Sequence, residues 1–214
     1  MSAEWQVKGP DDLKTVLDVS HETIHRLTAL VALLVEWQKR MNLVSAASLN
    51  EVWQRHVADS AQLAALIPAE AKTLVDLGSG AGFPGLVLAI LLSGQEGFKA
   101  HLIESTGKKC DFLRTAIEAT KAPAKVHQGR IEETKRIAAD VITARACAPL
   151  SELLSYAKRF ATPHSLCVFP KGKGAEAELT QVQRSWRIAY KLVPSRTDPA
   201  SRIIVVRGLL DARR

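Results

Sequence analysis

Four glycines in eight residues (Gly78, Gly80, Gly82 and Gly85) interrupt an apolar stretch that begins at Thr73. Thr73 to Leu77 reads as a strand and Pro84 to Leu92 as a helix, so the glycines occupy a strand-to-helix turn. An open α/β sheet binds its ligand at such a turn. Glycine there lets the backbone reverse sharply and lets a ligand approach without meeting a Cβ. Pro84 suits the first helical turn, where its missing N–H leaves no bond unmade. A dinucleotide fingerprint requires Gly-x-Gly-x-x-Gly; Gly78 and Gly80 fit, but the third position is Phe83. A P-loop requires Lys-Ser/Thr after the glycines, and none follows. What stands is Asp76-x-Gly78-x-Gly80-x-Gly82, whose leading acid suits a cationic ligand and repels a pyrophosphate. A second acid, Glu104, ends the next predicted strand 22 positions past Gly82, close to the roughly 20 that places a carboxylate on ribose hydroxyls. A structural turn without ligand is the alternative.

The rest of the chain supports a sheet around this turn. Strands are predicted at Thr73–Leu77, Lys99–Glu104, Ala124–Gln128, Asp140–Ala144, Ser165–Phe169, Ile188–Val193 and Arg202–Arg207. Helices are predicted between several of them, including Lys108–Thr120 and Ala175–Trp186. That alternation predicts a doubly wound, mostly parallel sheet covered on both faces. Before residue 70 helical periodicity dominates. Ile24, Leu27, Leu30, Val31, Leu34, Trp37 and Met41 recur at three- and four-residue steps and line one helical face. A second helix is predicted from Asn50 to Ile67, stopped by Pro68. The expected organisation is a helical extension over 1–69 and a sheet domain over 70–214.

Composition excludes other classes. With 47% apolar and 24% charged residues, the 214-residue chain is neither disordered nor fibrous. Three widely spaced cysteines, Cys110, Cys147 and Cys167, form no disulfide framework and point to a reducing compartment. The apolar run Leu27 to Trp37 is too short to span a bilayer, and the N-terminus lacks a signal-peptide pattern. A cytoplasmic protein without membrane contact is expected. The net charge is +7. It is concentrated from Val182 to Arg214, where eight basic residues face Asp198 and Asp211. A polyanionic partner or a solvated face with locally paired arginines would both produce such a run.

The acid–glycine pattern resembles the first motif of class I S-adenosylmethionine methyltransferases. Further elements narrow it: Glu36-Trp37-Gln-Lys-Arg-Met-Asn42, His56-Val-Ala-Asp59-Ser60, Gly82-Phe-Pro-Gly85, Glu104-Ser-Thr-Gly-Lys108-Lys109, Gly129-Arg130-Ile-Glu132, Ala144-Arg145-Ala146 and Lys171-Gly172. In this order, over residues 24 to 207, they resemble the RsmG (GidB) methyltransferases, which modify guanine N7 in the decoding region of small-subunit (16S) ribosomal RNA. The chain departs from the family's usual Trp-Asn at Trp37-Gln38, and from its Asp-Ser at Glu104-Ser105. The resemblance implies a Rossmann-like, seven-stranded class I fold with S-adenosyl-L-methionine as cofactor, and ribosomal RNA or the 30S particle as partner. It implies that Asp76, Gly78, Ser79, Gly80, Gly82, Phe83 and Glu104 surround the cofactor, with Ile131 and Glu132 beside its adenine. Arg145 is implied where methyl donor and base meet, as the catalytic residue. Lys108, Lys109, Arg130, Lys171, Arg202 and His56 are implied to contact or position RNA. No metal is implied, and His21 and His25 read as a surface pair.

Other nucleic-acid methyltransferase marks are missing. Where exocyclic-amine enzymes carry Asp/Asn-Pro-Pro-aromatic, this chain reads Thr143-Ala-Arg-Ala-Cys-Ala-Pro149. No cysteine follows a proline, as cytosine-C5 enzymes commonly require, and Cys147 reads as a small buried thiol. Two other classes compete: a methyltransferase for a small molecule or protein, and an RNA-binding protein that no longer catalyses.

Overall fold

The computed structural model describes residues 4–209. Arg213, Arg214 and Asp211, counted in the basic C-terminal run, lie outside the described residues, as do Met1 to Ala3. Seven strands form one sheet: β1 (Thr73–Leu77), β2 (Lys99–Glu104), β3 (Ala124–Gln128), β4 (Ala139–Ala144), β5 (Ala161–Lys171), β6 (Ala189–Pro194) and β7 (Arg202–Arg207). Their order is β3-β2-β1-β4-β5-β7-β6, with β7 antiparallel to both neighbours and all other pairs parallel. The order reverses between β1 and β4, so the ends of these two strands open a crevice. No helix among the described residues is long and apolar enough to cross a membrane.

The helices are α1 (Pro10–Val16), α2 (His21–Gln38), α3 (Ala46–Asn50), α4 (Asp59–Ala61), α5 (Gly85–Leu91), α6 (Gly107–Thr120), α7 (Leu150–Phe160) and α8 (Ala175–Val182). Ser20 caps α2 by accepting a hydrogen bond from the Thr23 amide, and Ile24, Leu27, Leu30 and Leu34 are buried. Burying each such side chain stabilises the fold by roughly 1.5–3 kcal/mol. The inward face of α2 meets α6, with Trp37 edge-on to Phe112 at 5.7 Å. One apolar cluster joins Trp5, Leu13 and the α2 leucines to Leu74, Leu86, Leu102 and Phe112. The other face of the sheet buries Val75, Leu77, Ile103 and Ile142 under α7 and α8. Alternate β1 residues thus enter opposite layers, as strand geometry requires.

The helix expected from Asn50 to Ile67 is helical without a break from Val52 to Leu66 but changes its hydrogen-bond pattern along the way. After α3, a π-helical turn covers Trp53–Ala58, then α4, then a 3-10 turn over Gln62–Leu66. The amide of Asp59 donates to the carbonyl of Gln54, five residues back. Such a widened turn shifts the facing of every side chain after it, and apolar spacing does not encode it. Ile67 is extended because it precedes Pro68. Helix α8 ends at Val182, four residues before the predicted stop, although Trp186 still donates its amide to Val182.

Candidate active site

The glycine turn leaves β1 with Gly78, Gly80 and Gly82 all at positive φ: +64°, +54° and +87°. A Cβ on Gly78 would stand 2.4 Å from Cys147 Sγ. Backbone bonds hold the loop open. The Ser79 amide donates to Ile103 O at 2.9 Å, and the Gly80 amide to Glu104 Oε2 at 2.9 Å. The Thr106 amide donates to Glu104 Oε1 at 2.7 Å. One carboxylate at the end of β2 therefore fixes both the turn and the start of α6. Each of its oxygens retains a lone pair for a further donor.

Asp76 lies near the end of β1, beneath the turn. It is fully buried, and its Oδ2 is without a hydrogen-bond partner among the described residues. Thr143 Oγ1 donates to its Oδ1 at 2.6 Å, and a Cβ on Gly85 would lie 2.6 Å from the Asp76 Cβ. Its side chain lies under α5, on the sheet face opposite Val75 and Leu77. Burial lifts its pKa to about 6, against the lowering pull of hydrogen bonds from Thr143 and Ser79. A Cβ on Gly82 would stand 3.0 Å from Leu86 Cβ and 3.3 Å from Leu113 Cδ2.

The turn opens into a cavity of about 820 Å³, lined by Gly78, Ser79, Gly80, Phe83, Glu104, Lys109, Arg130, Ile131, Glu132 and Arg145 among others. Lys108 is exposed at the start of α6 and does not line it. Cys147 is not the fully buried thiol expected: it forms part of the wall, and burial raises its pKa. Ala146 sits at φ +52°, a left-handed conformation that costs a residue with a Cβ about 1–2 kcal/mol. Arg145, Ala146 and Cys147 all line the cavity from this strained turn.

Arg145 is the hub of the opposite wall. Its Nη1 donates to Arg55 O at 2.7 Å and reaches Asp59 Oδ2 at 3.3 Å; its Nη2 is 2.6 Å from His56 Nδ1. The guanidinium lies 5.4 Å from the Phe83 ring centre, and His56 stacks on the same ring at 4.9 Å. Because guanidinium has only donors, His56 Nδ1 accepts and Nε2 carries the proton. Burial, then the charge of Arg145, drops the His56 pKa to about 3. Its Nε2 is buried without a partner among the described residues. His56 is thus neutral in the wall.

A second cavity of about 280 Å³ adjoins the first and shares Asp59, Arg145, Ala146 and Ser201 with it. Lys171 lines it, yet the ammonium is engaged by Glu178 and by Ala148 O, both at 2.9 Å. Those two protein acceptors make Lys171 a brace for the loop after β4, with one of the three ammonium donors left over. Arg202 donates to Pro199 O and Ser201 O at the rim of the same cavity. Arg184, Arg187, Lys191 and Arg207 are exposed.

Several residues that shape the site have no role assigned from the sequence. Gln38 accepts from the Leu43 and Val44 amides and donates to Val44 O, shaping the loop that borders the cavity. Gln54 links Trp5, Val7 and Thr197, and Gln62 links Asp59, Ser195 and Arg196. Only the departure at Trp37-Gln38 singled out any of them beforehand.

The opening fits a nucleoside. Glu104 offers free lone pairs at one end and Ile131 an apolar surface near it. A Cβ on Gly80 would meet only Gly78 O at 3.9 Å, so the backbone there is open to a ligand. Residues 23–200 match the family described as rRNA small subunit methyltransferase G. The Ribosomal RNA small subunit methyltransferase G of Rhodospirillum centenum is 50% identical, over 90% of this chain and 88% of that one. Its counterpart from Parvibaculum lavamentivorans is 46% identical, over 95% and 91%. Among solved structures, an O-methyltransferase from Bacillus cereus in complex with SAH aligns with a TM-score of 0.59 at 15% identity, covering 92% of this chain and 96% of that one. A SAM-dependent methyltransferase from Aquifex aeolicus aligns at 0.55 with 15% identity, covering 72% and 89%. These structures share the fold: a seven-stranded class I methyltransferase sheet. By the span and identity of these matches, the chain belongs to the rRNA small subunit methyltransferase G family.

Proposed function

We propose that this protein transfers a methyl group from S-adenosylmethionine to N7 of a guanosine in the decoding region of small-subunit ribosomal RNA, in the cytoplasm. The observation that carries this reading is the position of Arg145, in the wall common to both cavities and opposite the glycine turn. When bound, S-adenosylmethionine supplies an electrophilic methyl on its sulfonium. Glu104 would take the ribose hydroxyls, Gly78 and Gly80 would admit the chain, and Ile131 would face the adenine. Arg145 would meet the acceptor-rich edge of guanine.

The protonation states suit this acceptor. Guanine N7 has an in-plane lone pair in the neutral base, so no proton leaves before attack. His56 is held neutral, and burial raises Cys147. Tyr156 is raised by its hydrogen bond to Glu152. None of the three is set up as a base near neutral pH, and in-line positioning is the task that remains. Lys109 and Arg130 at the rim, with Lys108 and Arg202 outside, would hold phosphates.

Labelled S-adenosylmethionine incubated with the protein and either naked 16S RNA or 30S particles tests the proposal. One 7-methylguanosine, located by cleavage mapping and mass spectrometry, is the expected product. Label in an exocyclic amine, a ribose or no RNA at all would overturn it.

A further inference from the structure

We infer that Thr197 and Gln62 are positioning residues for methyl transfer, acting on Arg145 through Asp59. The inference rests on the role proposed for Arg145 and concerns what holds that side chain in place. Asp59 divides its oxygens between two tasks. Oδ1 accepts from Thr197 Oγ1 at 2.9 Å and from Gln62 Nε2 at 2.9 Å, leaving Oδ2 to face Arg145 Nη1 at 3.3 Å. That last contact is the longest of the polar contacts Arg145 makes. It therefore depends most on the angle of the carboxylate, which the two donors on Oδ1 set.

The donors are themselves built in. Gln62 is 5% exposed and Thr197 8%. Gln62 Oε1 accepts from the Arg196 amide at 2.8 Å, and its Nε2 lies 3.1 Å from Ser195 Oγ. Thr197 O accepts from Gln54 Nε2 at 2.8 Å, and the same amide donates to Trp5 O at 2.9 Å. A buried hydrogen-bond network thus runs from the N-terminal segment through the loop between β6 and β7 to Arg145. Such networks hold a geometry tightly when every member is satisfied. Asp59 also forms an ion pair with Arg145, so its carboxylate has both a steering partner and a reason to be steered.

Thr197→Val removes only the hydroxyl and keeps the shape. Single-turnover transfer at saturating substrates should fall about tenfold, with the S-adenosylmethionine Kd changed by less than about twofold. Thr197→Ser should restore the rate to within about threefold of the original. In an Asp59→Asn background, Thr197→Val should cost less than about twofold, because the path to Arg145 is already broken. A full tenfold loss in that background would mean that Thr197 acts on the substrate directly or on the fold, and would overturn the inference. So would an unchanged rate in Thr197→Val, or a serine variant as slow as the valine one. If Thr197→Val fails to fold, Gln62→Glu replaces the amide donor by an acceptor against Asp59. It should slow transfer at least about tenfold in the original protein and far less beside Asp59→Asn. Arg145→Lys serves as the control: if it leaves transfer unchanged, the role proposed for Arg145 fails, independently of the network.

Discussion

One end of the cavity is made by two neighbouring strand ends, Gly78 to Gly80 after β1 and Glu104 at the end of β2, and is fastened by backbone amides. The other end is assembled from Asp59, Arg145 and Thr197, with Asp59 and Thr197 separated by 138 positions, and is fastened by side chains. The first arrangement survives most substitutions, because its donors belong to the main chain and only the glycines and one acid are specified. In the second, every bond depends on a particular side chain, and one loss loosens the next. Cofactor binding should therefore be local and tolerant, whereas transfer should be distributed and fragile.

Arg145→Ala should break that contrast most visibly if it is wrong. Removing a preorganised donor group costs about 10²–10³ in turnover. Transfer should drop by that factor in single-turnover assays, while calorimetry shows S-adenosylmethionine affinity within about threefold. An equal fall in both would mean the two ends are not separable.

Asp76→Asn addresses the underside of the turn. The folded carboxyl has a pKa of about 6 against an ordinary value of 3.8, so the folded state holds the proton more tightly. Ionisation therefore costs stability: nothing below about pH 4, increasingly toward pH 6, and a constant amount above. That amount is roughly 3 kcal/mol for a shift of this size. Denaturant titrations at pH 4, 5, 6 and 7.5 should show the asparagine variant gaining on the original protein over this window and then running parallel. A constant difference from pH 4 upward would return Asp76 to an ordinary, solvated carboxylate. Cofactor affinity should change by less than about threefold.

Glu104→Gln should have the smallest effect. It keeps one acceptor for the turn and loses the charge that strengthens bonds to the ribose. About tenfold weaker S-adenosylmethionine binding is expected, with transfer at saturation nearly unchanged. Affinity unaffected by the change would remove Glu104 from the cofactor's contacts.

The same contrast explains what could be read from sequence. Strand patterning and the glycine turn are local, so the sheet, the crevice and Glu104 were legible. Asp76 stands where the motif spacing puts it, but alternation along β1 sends its side chain beneath α5, which a motif that records only spacing does not show. Lys171 carried a charge whose partner, Glu178, lies in α8, and nothing in the Lys-Gly pair reveals that pairing. The π-helical turn at Trp53–Ala58 has no apolar signature, and it faces His56 and Asp59 toward Arg145. Gln54, Gln62 and Thr197 are ordinary polar residues whose role exists only once distant segments meet.

Positioning without proton chemistry is best tested by the pH dependence of the single-turnover transfer rate under saturating substrates. His56 titrates near 3, Cys147 and Tyr156 are raised, and Asp76 titrates near 6 but is sealed under the turn. From about pH 6.5 to 8.5 the rate should stay nearly flat, without the limb a general base imposes. A tenfold rise across that window would contradict attack by an already free N7 and would require a group in the cavity to remove a proton first.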